Sequence, residues 1–198
     1  MYSYRVEQAI RAAAILHKDQ VRKGSVPYPY ITHLVAVSMI LLDYTQDEDT
    51  IIAALLHDTL EDTDYTITEL QEDFGGKVRE IVESLSEPTG KHGERLSWRD
   101  KKSVYAKQLK KAPDEALMIA AADKAHNMRS MVEEYFDDHQ RFLKDFGSKI
   151  DDRIELYQNI SNVINNRLSG GILHEFNHVF DEYKNFVFNV KKSQENGF

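Results

Sequence analysis

The chain has 198 residues, no cysteine, and 33 acidic against 25 basic side chains, for a net charge of −8 with histidine neutral. The length fits one domain, or one domain with a helical extension, and the composition excludes disulfides and thiolate metal sites. The acidic balance argues against a nucleic-acid partner, and the absence of any run near 18 apolar residues or of a signal-peptide core points to a cytoplasmic protein with no membrane partner.

Residues 4–19 are expected as a helix with Val6, Ile10, Ala13, Ala14 and His17 on one face. The stretch "VRKGSVPYPYITH" is punctuated by Gly24, Pro27 and Pro29 and reads as a loop. A second helix is expected from Thr32 to about Tyr44. "TQDEDT" closes it and offers caps for a third, over about 49–60, that is apolar on most sides before His57. Thr66 and Glu69 have the spacing of a capping box, opening a short helix that ends at Gly75 and Gly76. "KVREIVESLSE" is amphipathic, 87–97 is a polar loop, and "SWRDKKSVYAKQLKKA" is helical up to Pro113. "DEALMIAAADKAHNMRSMVEEY" is a second mostly apolar helix, with an acid inside it. Two or more helices fill 139–198, split by Gly170 and Gly171. No strand pattern occurs, so the fold class is all-α. The expected division is a main domain over 1–138 and a C-terminal helical extension over 139–198 packed on the same domain.

Chemistry concentrates in "LLHDTLEDTD", which puts a histidine and four acids directly after an apolar run. On one continuous helix, His57 would share a column with Glu61, and Asp58 with Asp62. Unpaired carboxylates beside a buried helix cost several kcal/mol or protonate. A divalent cation removes that conflict, and mixed imidazole and carboxylate donors suit Mn, Fe, Co, Ni or Zn. Asp123, inside a run of alanines, repeats the anomaly, and Asn127 lies one turn on. His33 opens the second helix. His33, His57, Asp58 and Asp123 form a candidate four-ligand set, with Glu61 and Asp62 left for acid/base work on water. Residues 91–111 hold eight Lys and Arg against two Asp and Glu, a local +6 suited to a small polyanion. The bland readings are a hydrogen-bonded core histidine, a solvated helix end, and a basic helix face turned to water.

These stretches resemble the HD-domain metal-dependent phosphohydrolases. Within them the chain is similar to the hydrolase domain of the stringent-response enzymes, which remove pyrophosphate from the 3′ position of ppGpp and pppGpp. "VRKGSVPYPYITH", "AALLHDTLEDTDYTITELQEDFG", "VREIVESLS" and "AAADKAHNMRSM" carry the match in order, over about 1–135. The resemblance implies an HD-domain helical bundle and one Mn²⁺ on His33, His57, Asp58 and Asp123. It further implies Glu61 and Asp62 as the pair that positions and activates the attacking water. Asn127 then contacts the substrate sugar, and Arg22 and Lys23 meet the base. Two positions depart from the family's usual pattern: Gly24 follows the Arg-Lys pair where Ser is common, and Leu34 follows the first ligand where Pro is common.

Arg99, Lys101, Lys102 and Tyr105 are candidates to meet the phosphates, Lys102 first among them. Alternatives to the alarmone reading are an HD hydrolase of another nucleotide or phosphoester, a non-enzymatic nucleotide sensor, and a helical adaptor with a structural metal. "HEFNH" at His174 to His178 has the form of a zinc-protease motif. It lacks a third ligand in a recognisable context, and is read as surface histidines flanking an apolar stripe of Ile172, Phe176, Val179 and Phe180.

Overall fold

A computed structural model describes the backbone of residues 3–86, 98–146 and 150–195, and the side chains of 3–86, 104–144 and 150–193. The described residues form eleven helices and no strand. They are α1 (Tyr4–Leu16), α2 (Ile31–Leu42), α3 (Glu48–Leu56), α4 (Thr59–Asp62), α5 (Ile67–Phe74), α6 (Gly76–Leu85), α7 (Trp98–Leu109), α8 (Asp114–Asp137), α9 (His139–Phe146), α10 (Ile150–Arg167) and α11 (Gly171–Glu195).

The centre of the bundle is α3 and α8. Every residue of α3 from Thr50 to Leu56 is buried, as expected of a helix apolar on all sides. Asp47 caps it by accepting from the Thr50 amide at 2.9 Å. α2 lies against both α3 and α8, α1 against α3, and α6 against α3. The capping box of α5 is present, with Thr66 and Glu69 satisfying each other's backbone. Gly75, at φ 91°, turns the chain directly into α6.

α11 packs along α8, and the apolar stripe Ile172, Phe176, Val179 and Phe180 is buried there together with Tyr183. Tyr183 stands edge-on to Tyr157 of α10 with ring centroids 5.6 Å apart. Arg167 closes the C-terminal end of α10, donating to the carbonyls of Lys110 and Ala112 and pairing with Asp114. One continuous core therefore includes side chains from α1 through α11.

Two expectations change. The third helix does not run through to residue 60: it stops at Leu56, His57 and Asp58 form a turn, and α4 is a separate short helix. At the break the Thr59 hydroxyl donates to the Leu56 carbonyl at 2.6 Å, and at the far end of α4 the Thr63 hydroxyl donates to the Thr59 carbonyl at 2.7 Å. The buried face of α1 is also rotated from the expected one: Ala9, Ala13 and His17 are inside, while Ile10 and Ala14 are exposed. Among the described residues, no helix is long and apolar enough to cross a membrane.

Candidate active site

Three parts of the chain bring the expected ligand residues together: the start of α2, the turn between α3 and α4, and the middle of α8. Donor atoms of His33, His57 and Asp58 lie within 4.8 Å of one another. His57 Nε2 is 3.2 Å from Asp58 Oδ2, and His33 Nε2 is 3.8 Å from the same oxygen. Asp123 Oδ1 joins from α8, 3.3 Å from His33 Nε2 and 4.0 Å from His57 Nε2.

The second nitrogens are committed elsewhere. His57 Nδ1 donates to the Ala54 carbonyl at 2.8 Å, which fixes the ring and turns Nε2 toward the carboxylates. That Nε2 is buried with no hydrogen-bond partner. His33 Nδ1 meets His126 Nδ1 at 2.9 Å. A buried, partnerless imidazole nitrogen facing two carboxylates and a second imidazole fits a divalent metal ion.

The acids are held in place by neighbours. The Tyr30 hydroxyl donates to Asp58 Oδ2 at 2.6 Å. Lys124 and Asn127 both donate to the Asp123 carboxylate. Burial alone would raise the Asp58 carboxyl, but the adjacent His57 holds it below the usual range. Asp123 is likewise held well below that range against its burial, chiefly by Lys124. His57 is buried, yet Asp58 and Asp123 outweigh that cost and push it up to about 9. Burial lowers His33, and burial with His33 and Arg22 nearby takes His126 down to about 4.

Glu61 and Asp62, on α4, line the same pocket of about 220 Å³ as the cluster. Gln20 donates to the Asp62 carbonyl at 2.6 Å, tying α4 to the loop after α1. That loop is closed by the Arg22 amide donating to the Tyr28 carbonyl and the Tyr30 amide to the Gln20 carbonyl. It sets the Arg22 guanidinium over the Tyr30 ring, 5.6 Å from its centroid. Arg22 Nη2 donates to Asn127 Oδ1 at 2.7 Å. Lys23 lines a second chamber of about 420 Å³ that shares Arg22, Tyr30, Lys124 and Asn127 with the first.

Tyr105 is buried and lines the first pocket, with Lys124 Nζ 5.6 Å from its ring centroid. The side chains of Arg99, Lys101 and Lys102 lie outside the described residues. Lys107 and Lys110 line a different cavity of about 480 Å³ between α7 and α10, with no acid or histidine among the described residues of its lining. His174 and His178 are exposed; His178 faces Glu182 at 3.4 Å and Glu175 pairs with Arg129, so among the described residues the "HEFNH" stretch gathers no ligand set.

Sequence reasoning missed Tyr30, Lys124 and His126, each of which touches a candidate ligand. Lys124 and His126 were visible only as ordinary helix residues beside Asp123. Tyr30 was one tyrosine in a loop, its partner 28 positions away.

A family profile described as an HD domain matches residues 9–148. The bifunctional (p)ppGpp synthase/hydrolase SpoT of Escherichia coli K12 is 38% identical over 133 residues, which is 64% of this chain and 18% of that protein. The chain spans less than a fifth of the long bacterial relatives it matches. The human guanosine-3′,5′-bis(diphosphate) 3′-pyrophosphohydrolase MESH1 is 33% identical over 144 residues, covering 66% of this chain and 78% of that protein. A solved structure of a metazoan SpoT ortholog that hydrolyzes ppGpp superposes with a TM-score of 0.76 at 23% identity. The superposition covers 92% of this chain and 97% of the other, and shows a shared fold.

Proposed function

This chain belongs to the HD domain family, and on that premise we propose that it is a metal-dependent phosphohydrolase that removes pyrophosphate from the 3′ position of ppGpp and pppGpp. The observation that carries the proposal is the partnerless Nε2 of His57 inside a buried His/Asp cluster, with Glu61 and Asp62 lining the same pocket. Relatives that share this stretch of sequence carry the 3′-pyrophosphohydrolase name, including one of which this chain covers most of the length.

His33, His57, Asp58 and Asp123 would hold the ion, taken as Mn²⁺ because imidazole and carboxylate donors together suit it and its divalent transition-metal neighbours. Bound there, it would supply positive charge to the reacting phosphate and lower the pKa of a water. Glu61 and Asp62 accept the proton that the attacking water loses and orient its oxygen toward phosphorus. The bond between the sugar 3′ oxygen and phosphorus breaks, and that oxygen takes up a proton. GDP and pyrophosphate leave when the substrate is ppGpp. Tyr30 and Asn127 keep Asp58 and Asp123 from turning away, and Arg22 and Lys23 line the wall where the nucleoside sits.

The test is hydrolysis of ppGpp by the purified chain with and without Mn²⁺, the products separated by anion exchange. GDP and pyrophosphate are expected only with metal. Metal binding without turnover would sink the alarmone assignment and send the search to other nucleotides.

A further inference from the structure

Glu134 occupies an unusual place. The second chamber is lined by four cations, Arg22, Lys23, Lys124 and Arg153, and by one carboxylate, that of Glu134 near the end of α8. Glu134 Oε2 accepts from the Ser25 amide at 2.7 Å. Its carboxylate lies so close to the loop that a Cβ on Gly24 would fall 2.0 Å from Oε1, and Gly24 has a φ of +154°. A carboxylate offers about four acceptor sites, and the Ser25 amide fills one of them.

We propose that Glu134 reads the Watson–Crick edge of the substrate's base and makes this chain select guanine over adenine; the proposal rests on the hydrolase reading above. Orientation follows from the hydrolase reading. The reacting phosphates belong at the His/Asp cluster in the first pocket. The base is the end of the nucleotide left for the adjoining second chamber and Glu134. Guanine presents two adjacent donors there, N1–H and the N2 amino group, and one carboxylate accepts both in charge-assisted hydrogen bonds. Adenine presents an N1 lone pair in the same place, which faces the carboxylate unfavourably and leaves it unsatisfied. Arg22, held over Tyr30, provides a flat cationic surface for the base beside the same loop. Gly24 is then the residue that lets the carboxylate approach: any side chain at that position would drive Glu134 off the loop.

The competing possibility is that Glu134 only anchors the loop. Glu134→Gln separates the two, because a carboxamide still accepts from the Ser25 amide but also presents an N–H₂ donor suited to adenine N1. Binding of GDP and ADP to the full chain is measured by calorimetry with Mn²⁺ present, for both proteins. The wild type is expected to bind GDP roughly ten- to a hundredfold tighter than ADP. In Glu134→Gln that ratio is expected to fall to near one or to invert, with Mn²⁺ affinity and Tm unchanged. Equal binding of GDP and ADP by the wild type overturns the proposal, as does an equal loss of both in the variant. Hydrolysis of ppGpp is followed in parallel. Missing turnover with the guanine preference intact would count against the hydrolase reading and leave the base assignment standing.

Discussion

His57 gives one nitrogen to a backbone carbonyl and turns the other, 3.2 Å and 4.0 Å away and without a hydrogen bond, toward two carboxylates, and its acid–base behaviour follows from that division. Without metal, Asp58 and Asp123 hold it protonated up to about 9, above the ordinary 6.5. While the two carboxylates stay ionised, the stabilisation from protonated His57 is therefore complete below about pH 6.5 and is lost as pH rises through 9. A metal must displace the proton. Mn²⁺ binding near pH 7.5 is expected to release about one proton, read by calorimetry in two buffers of different ionisation heat. No buffer dependence would mean His57 is not a ligand. Asp58→Ala is expected to abolish Mn²⁺ binding, whereas Glu61→Ala keeps the metal and loses at least about a hundredfold in kcat. A Glu61 variant with wild-type turnover would remove that acid from the chemistry. The candidate ligand residues stood out in the sequence because charge on an apolar helix is an anomaly readable locally. Their supports were not readable, because Tyr30 and His126 matter only through partners 28 and 93 positions away.

Helix identity and order were largely legible, while boundaries and faces were less so. The apolar run of α3 predicted a continuous helix to residue 60, and the third-helix columns of His57 with Glu61 relied on it. The Thr59 hydroxyl bonding back to the Leu56 carbonyl marks the point where that helix divides, just before the acids of α4. The error in α1 has a different origin: Ile10 is apolar but faces outward, and the small Ala9 and Ala13 allow close approach to α3. In α11 the apolar stripe was read correctly, though what covers it, α8 and α10, lies elsewhere in the chain. Two substitutions test these elements. Phe176 is fully buried, and Phe176→Ala is expected to cost about 3–5 kcal/mol in urea unfolding. Asp47→Ala removes the cap of α3 and is expected to cost about 1 kcal/mol. A Phe176 variant within experimental error of wild type would mean that α11 is not part of the cooperative core.

At the level of the whole molecule, the sequence suggested a main domain with a helical extension packed on it, and α8 through α11 share a common core. Leu156 and Tyr157 of α10 also line the second chamber. A chain ending before residue 150 is expected to lack a cooperative thermal transition, measured by calorimetry. A sharp transition would assign the fold to the first two-thirds alone. The candidate ligands themselves span from residue 33 to residue 123, so an unfolded chain holds them far apart and offers an ion no comparable site. Only the native arrangement binds, and by mass action the ion becomes a dose-dependent brace. Free Mn²⁺ at a hundred times its Kd adds about 2.7 kcal/mol to the folded state, or roughly 5–10 °C in Tm for a chain of this size. The melting temperature should climb with the logarithm of free metal, and the slope of that climb reports occupancy of the site without any substrate being present.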